Sequence, residues 1–567
     1  MNKRKELNLG YSDFKRIIEN DNYFVDKSLL IRDVIKSQQA VLLLPRPRRF
    51  GKTLNLSMLK YFFEIDQPDN EKLFHELKIW QSEKDIINKQ GKYPVIFISF
   101  KDAKKETWND VFEHIIAEIV NIYKQNLYLL TDKFLSDFEQ IEFNDILHKR
   151  ASEVTYENSI KQLSEYLYRY HKKEVLILID EYDTPIQAGY KKFYNEVISF
   201  MRNLLSGAFK DNIYLYKGLI TGILRISKET IFSGLNNVSV HTILDNEFSD
   251  KFGFTEEEVK KVLSDFEVPT DYELIKKWYN GYKIGNTLGI YNPWSILNYS
   301  ISYQNGFKPF WVNTSSDDLL KERLKERDAD YTREQLLKLI NNETIEKTID
   351  ENFVFPDLDT DKELLWSLLT FSGYLTTESK RDYNNYKLKI PNYEIKFVFK
   401  NILLKWLSVD LKIRKTLLEE TANHLINNEI AKFEKGFKQI MGDTFSYFDT
   451  QSQPEKVYQS YVLGLLAIIG DDYIIKSNRE SGEGRYDILL IPHNKARYGI
   501  VIEIKQLEKK AKESQDALKK RIAIQIQEAQ YQIETNQYYK ELIDNKISNI
   551  IKLPIVFVGK DPYILIA

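Results

Sequence analysis

One stretch restricts the fold of this chain more than any other. The apolar run Ala40 to Leu44 leads directly into Pro45-Arg46-Pro47-Arg48-Arg49-Phe50-Gly51-Lys52-Thr53, and a helical pattern follows with Leu54, Leu56, Met58, Leu59 and Phe62 on its apolar side. A short buried strand, a tight loop and a helix start in this order form a phosphate-binding loop. Backbone N–H groups at the helix N-terminus collect phosphate oxygens, Lys52 reaches the β and γ phosphates, and the Thr53 hydroxyl holds Mg²⁺. The candidate nucleotide-binding residues are therefore Arg46, Pro47, Arg48, Arg49, Phe50, Gly51, Lys52 and Thr53. Arg46 stands where such loops usually carry their first glycine, so the loop must turn without that permissive residue.

A strand feeding a phosphate loop needs parallel neighbours. Pro94 to Phe100, Val175 to Ile179 and Ile213 to Ile220 are similar apolar runs separated by long helical patterns, which implies crossover connections and an α/β parallel sheet. The run at Val175 ends in Asp180-Glu181. Asp180 is expected to bind Mg²⁺ through water, and Glu181 to orient the water that attacks the γ-phosphate. Thr221, Gly222 and Arg225 follow the fourth strand at the edge where open α/β sheets bind ligands, and Arg225 is a candidate γ-phosphate sensor. If Arg225 acts on a neighbouring subunit, the protein must be an oligomer.

From about Phe254 the pattern turns helical, with Glu256 to Leu263, Tyr272 to Tyr279 and Trp294 to Tyr299, and predicts a helical lid. Leu364 to Leu404 reads as a helix, a hairpin turning around Asn384 and Asn385, and a second helix, a pattern compatible with a winged-helix module. A polar stretch from Asp443 to Pro454 precedes a helix over 455–469, strands over 473–477, 486–491 and 499–504, a helix over 513–533 and a strand over 554–558. The expected division is a P-loop domain over 1–250, a lid over 251–345, a helical or winged-helix middle module over 346–450 and an α/β domain over 451–567.

The last segment carries a second constellation. Asp487 opens one strand, while Glu503 and Lys505 lie two residues apart on the next and so share a face. Carboxylates that would otherwise repel are expected to share a divalent cation, with Lys505 positioning the hydrolytic water or offsetting charge on a scissile phosphate. Glu455 is a further candidate ligand and Gln532 a candidate support. Lys505 to Arg521 contains seven basic and three acidic residues, a patch able to grip a phosphate backbone.

Composition narrows the alternatives. With 81 Lys plus Arg against 83 Asp plus Glu, a net charge of -2 does not suit a protein coating nucleic acid over its whole surface. The absence of cysteine excludes disulfides, thiolate metal sites and thiol nucleophiles, which leaves metal chemistry to carboxylates and water. The most apolar stretch, Tyr461 to Gly470, is half of what a bilayer span requires, and the N-terminus lacks an apolar signal segment, so a cytoplasmic protein that does not engage membranes is expected.

These motifs together resemble a bacterial and archaeal family that pairs an AAA-ATPase-like domain with a C-terminal PD-(D/E)XK nuclease domain. The similarity is carried by Tyr23-Phe24-Val25-Asp26-Lys27, the loop from Leu44 to Thr53, Ile179-Asp180-Glu181-Tyr182-Asp183, Phe232-Ser233-Gly234-Leu235-Asn236-Asn237, Tyr291-Asn292-Pro293-Trp294-Ser295, Gly484-Arg485-Tyr486-Asp487 and Ile502-Glu503-Ile504-Lys505. An arginine at the loop's first position is usual in that family. The resemblance implies a P-loop ATPase with a helical lid joined to a restriction-endonuclease-like fold, with ATP and Mg²⁺ as cofactors and nucleic acid, DNA first, as partner. The expected function is ATP-controlled phosphodiester cleavage, in defence or mobile-element biology. A signalling or scaffold ATPase whose nuclease-like domain binds nucleic acid or protein without cutting is the alternative.

Overall fold

The computed structural model describes residues 5–65, 67–225, 237–269, 271–311, 330–405, 414–444, 464, 467–470, 472–481, 484–508, 510, 513–559 and 561–564. It is an α/β multidomain protein whose chain divides into two compact units, Met1–Trp311 with Glu346–Glu394, and Val312–Ile345 with Ile395–Ala567.

The first unit is built on five parallel strands: β1 (Val41–Pro45), β2 (Val95–Ser99), β3 (Val175–Asp180), β4 (Leu215–Gly222) and β5 (Val238–Val240), in the order β2-β3-β4-β1-β5. Every residue of β1 and β3 is buried, which is why their sequences are unbroken apolar runs instead of alternating ones. Register decides what meets at the carboxyl edge. Ser99 pairs with Asp180, Ile179 with Ile220, Leu44 with Thr221 and Pro45 with Gly222, so four strands deliver their last residues side by side. The edge strand β5 has three residues, too few for an apolar pattern to announce it.

The lid helices run Glu256–Asp265, Tyr272–Tyr279 and Pro293–Ser302, and a hairpin of β6 (Tyr282–Ile284) and β7 (Thr287–Ile290), unforeseen in the sequence, separates the last two. Thr255 and Glu258 close a capping box on the first helix, and the Asn292 side chain caps the third. Phe254, Val259, Val262, Ile275, Tyr291 and Ile296 form their shared core. The N-terminal lead-in is stitched to this lid: Tyr23 donates to Asp265 at 2.6 Å, and buried Lys27 pairs with Glu258 at 2.6 Å.

Helix Leu364–Phe371 precedes a hairpin of β9 (Thr376–Lys380) and β10 (Asn385–Lys389), and β8 (Ile345–Thr348) completes a sheet in the order β8-β10-β9. All eight residues of that helix are buried. The second unit contains β11 (Tyr473–Ser481), β12 (Gly484–Pro492), β13 (Gly499–Leu507), β14 (Ile550–Val558) and β15 (Asp561–Ile564), arranged in that order with only β13 and β14 parallel. Helix Gln515–Thr535 makes the crossover between those parallel strands. No helix among the described residues is long and apolar enough to cross a membrane.

Candidate functional site

The loop between β1 and helix Lys52–Phe63 makes its turn late. Arg49 (φ 66°) and Gly51 (φ 85°) take left-handed conformations, and helix Lys52–Phe63 starts immediately afterwards, so its first N–H groups open onto the loop's concave side. Lys52 is buried, with its ammonium 3.3 Å from the carbonyls of both Arg46 and Pro47 and 3.2 Å from the Glu181 carboxylate.

Arg46 does not face this concave side. Its backbone N–H is spent on the Gly222 carbonyl at 3.0 Å, and its guanidinium, 0 % exposed, donates to the carbonyls of Pro45 at 2.8 Å, His241 at 2.6 Å and Phe248 at 3.2 Å. Burial lowers its pKa to about 10. The expectation that Arg46 binds phosphate is corrected: both groups by which it could do so hold the loop's back to the β4–β5 side of the sheet.

Asp180, at the end of β3, is fully buried and accepts from Thr53 Oγ1 at 2.7 Å, Thr221 Oγ1 at 2.7 Å and Ser99 Oγ at 3.3 Å. Burial, then the neighbouring Glu181 charge, raise its pKa. Burial alone would raise Glu181 as well, yet Lys52 and Arg48 hold its carboxyl below the ordinary range. Glu181 sits at φ 53°, a strained conformation at the point where the strand turns. Arg225, just past β4, has Glu351 as its described charge partner, at 3.8 Å.

In the second unit, β12 pairs with β13 from Leu490–Ile500 to Ile488–Ile502. At the next position the Asp487 carboxylate replaces a backbone acceptor and takes the Ile504 N–H at 2.7 Å. Glu503, 4 % exposed, accepts from Lys505 at 2.8 Å, and although burial opposes it, Glu503 and then Asp487 raise the Lys505 pKa. The three charges predicted to converge do so on adjacent strands. Glu455 lies outside the described residues, and among those described no group of three or more His, Cys, Asp and Glu side chains is placed to hold a metal. Gln532 lies half-buried on the crossover helix.

Family comparisons agree with both geometries. Residues 8–232 match the model described as "Predicted AAA-ATPase", and residues 453–565 match the PD-(D/E)XK nuclease superfamily. The chain joins an AAA-ATPase-like domain to a PD-(D/E)XK nuclease-superfamily domain. An uncharacterized protein in the vnfD 5' region of Azotobacter chroococcum mcd 1 is 28% identical over 409 residues, 71% of this chain and 70% of that protein. The Walker-type ATPase PABY2304 of Pyrococcus abyssi aligns with a TM-score of 0.35 at 13% identity, covering 70% of this chain and 99% of that one.

Within the AAA-ATPase-like domain, a cleft of about 280 Å³ is bordered by Arg49 to Asn55 and Glu181 on one side and by Leu7, Tyr11, Val25, Trp294 and Leu297 on the other. Polar donors at one end and apolar walls at the other fit a nucleotide, and the Thr53 hydroxyl with the Asp180 carboxylate are hard oxygen donors that fit Mg²⁺. At the nuclease-superfamily site, Asp487 and Glu503 also offer only oxygen, which again suits Mg²⁺. Two contributors escaped assignment from sequence. Ser99 becomes visible only through strand register. Asp183 is fully buried, accepts from the N–H groups of Ile223 at 3.0 Å and Leu224 at 3.1 Å and from Gln187 at 2.8 Å, and is pushed up to about 6 by burial and by Glu181. It anchors the segment after β4, and the only sequence signal for it was its place in the Asp180-Glu181-Tyr182-Asp183 run.

Proposed function

We propose that the AAA-ATPase-like domain binds and hydrolyses ATP with Mg²⁺, and that this turnover controls Mg²⁺-dependent cleavage of nucleic-acid phosphodiester bonds, DNA first, by the nuclease-superfamily domain. The observation that carries the reading is the hydrogen bond from Thr53 to Asp180 at 2.7 Å beside the Lys52–Glu181 pair at 3.2 Å. It brings a hydroxyl and a carboxylate suited to a metal, an ammonium suited to phosphate and a candidate base together from two segments far apart in the sequence, 52–53 and 180–181. Bound Mg²⁺ would supply positive charge to phosphate oxygens at each site. Lys52 would exchange its carbonyl and carboxylate partners for phosphate oxygens, which frees Glu181. Glu181, released from Lys52 and still beside Arg48, is then placed to orient a water and accept its proton. In the second unit Asp487 and Glu503 would hold the metal, and Lys505, once released from Glu503, would face the scissile phosphate. Part of the basic stretch nearby is already committed, since Arg521 forms a forked pair with Glu513 at 2.9 and 2.8 Å. Strand contact therefore falls to the other lysines of that segment.

The test incubates purified protein with labelled linear, circular and single-stranded DNA and with RNA, each with Mg²⁺ and with or without ATP. Lys505→Ala is expected to abolish cleavage and retain ATP turnover, whereas Lys52→Ala loses nucleotide binding. Cleavage by Lys505→Ala at the parent rate refutes the nuclease assignment, and no cleavage under any condition by the parent moves the protein to the ATPase-switch reading.

A further inference from the structure

The phosphate loop is tied from behind to the two positions at which the chain leaves the first unit. Trp311 is the last residue before Val312, and Glu394 the last before Ile395. The Glu394 carboxylate joins them: one oxygen accepts the Trp311 backbone N–H at 2.9 Å, and the other accepts the Ser295 hydroxyl at 2.8 Å. The Trp311 indole N–H then donates to the Arg48 carbonyl at 3.3 Å, which also receives the Asn292 side-chain amide at 3.2 Å. The Arg49 guanidinium donates to the Phe310 carbonyl at 2.9 Å, shares that acceptor with the Trp294 indole N–H at 3.1 Å, and lies 4.4 Å from the centre of the Trp294 ring. Two consecutive loop residues are thus held, one through its carbonyl and one through its side chain, by the segment that ends at Trp311.

Arg49 and Trp294 also border the cleft that Lys52 and Thr53 line. An anion entering there meets an arginine whose present acceptor is a neutral carbonyl, and a guanidinium bonds phosphate more strongly than it bonds a carbonyl. Glu394 is 1 % exposed, and burial pushes its pKa up to about 7 against the hydrogen bonds from Ser295 and from the backbone of Trp311 and Phe310, so its charge is tied to the same segment that holds Arg49. Glu394 stands in the first turn of helix Tyr393–Lys405, which continues from Ile395 as part of the second unit. A packed helix shifts as a piece, so a change at its first turn is felt along its length.

We propose that Arg49, Trp294, Phe310, Trp311 and Glu394 form a relay by which phosphate binding at the loop acts on the segment ending at Trp311 and on the helix opened by Glu394. Glu394 is its positioning residue. The relay rests on the nucleotide-binding reading above and adds the route of its control. It needs the loop to bind phosphate more tightly in one arrangement of these five residues than in the other.

The test is hydrogen exchange on the full-length chain with and without a non-hydrolysable ATP analogue and Mg²⁺, for the parent, Glu394→Gln and Trp311→Phe. In the parent, the analogue should slow exchange across 46–55 and change it by about threefold or more in 306–311 and 391–405. Both variants should keep the protection at 46–55, with fluorescent-nucleotide affinity within about threefold of the parent, and lose the response at 391–405. Trp311→Phe keeps an aromatic ring at this buried position but removes the five-membered ring with its N–H, and because it leaves the Glu394 carboxylate in place it is the arm that decides if Glu394→Gln folds poorly. Protection at 46–55 without a response at 391–405 in the parent, or a parent-like response in Trp311→Phe, overturns the relay alone. No protection at 46–55 in the parent overturns the nucleotide site and the relay with it.

Discussion

Replacing Arg46 separates a structural arginine from a phosphate ligand. In Arg46→Met the side chain ends where the guanidinium would begin and leaves the carbonyls of Pro45, His241 and Phe248 without the group that now reaches them at 2.8, 2.6 and 3.2 Å. Each buried acceptor deprived of a partner costs about 1–3 kcal/mol. The charge that burial holds near pKa 10 also no longer needs desolvating, which offsets part of that loss. The contact of the guanidinium with the Phe252 ring, 5.2 Å from its centre, is lost as well. The balance is a loss of about 3–5 kcal/mol, three such acceptors less the desolvation recovered. For a domain of this size each kcal/mol moves the midpoint by about 2–4 °C, so the melting transition should fall by about 10 °C. Lys52 contacts the backbone carbonyl of residue 46, not its side chain, so nucleotide affinity measured well below the transition should stay within about tenfold of the parent. Arg46→Lys, able to reach fewer of the carbonyls, should fall between the two. A variant Arg46→Met that melts with the parent yet loses nucleotide affinity by a hundredfold would refute this reasoning and make Arg46 a phosphate ligand.

Two further outcomes follow from buried groups near the same sheet edge. In Gly222→Ala the new Cβ would lie 2.5 Å from Asp183 Oδ1 and 2.8 Å from the Tyr182 ring, costing about 1–3 kcal/mol and displacing the carboxylate that anchors Ile223 and Leu224. ATP turnover should fall with it, whereas Gly218→Ala, crowded by the Phe209 ring at 2.5 Å, should lose similar stability and keep turnover; equal turnover in both variants would count against a role for Asp183 at the site. Glu394, raised from 4.5 to about 7, and Asp183, raised from 3.8 to about 6, retain protons in the folded state that the unfolded chain has released. Their contribution to stability is therefore full below pH 4 and is lost as the pH rises through about 6 and 7. Urea midpoints of the parent should decline over that interval, and the pair Glu394→Gln with Asp183→Asn should flatten the decline; an unchanged slope would show that other groups set it.

The legible parts of the molecule are those whose chemistry is local. β1, β3 and the loop between β1 and its helix were readable because an all-buried parallel strand is an apolar run and a helix start needs no distant partner. The Asp487, Glu503 and Lys505 set was readable because two adjacent strands joined by a short connection place all three within 19 residues. Asp180 found its partners where register put them, at Ser99 and Thr221, and neither serine nor threonine at a strand end signals such a role alone. Glu394 was invisible for the same reason, since it meets Ser295 across 99 positions and Trp311 across 83, and a glutamate opening a helix looks like an ordinary favourable first-turn charge.

Arg46 is the sharper lesson because its position was correctly identified and its task was not. A first-position glycine is needed in a loop that turns there, and this loop turns at Arg49 and Gly51, where the φ angles are 66° and 85°. With Arg46 still continuing the strand, its N–H pairs with the Gly222 carbonyl as a ladder bond would. Its side chain then has to enter the sheet's edge beside β5, where three carbonyls are available and no phosphate can reach. The cost of this arrangement moves to Arg49, which holds a left-handed conformation without being glycine, at about 1–2 kcal/mol. What holds it there is the bond to Phe310 and the Trp294 ring. A loop with glycine at position 46 could turn early and leave Arg49 relaxed. With arginine there the loop turns late, and the late turn presents Arg49 to the residues that end the first unit.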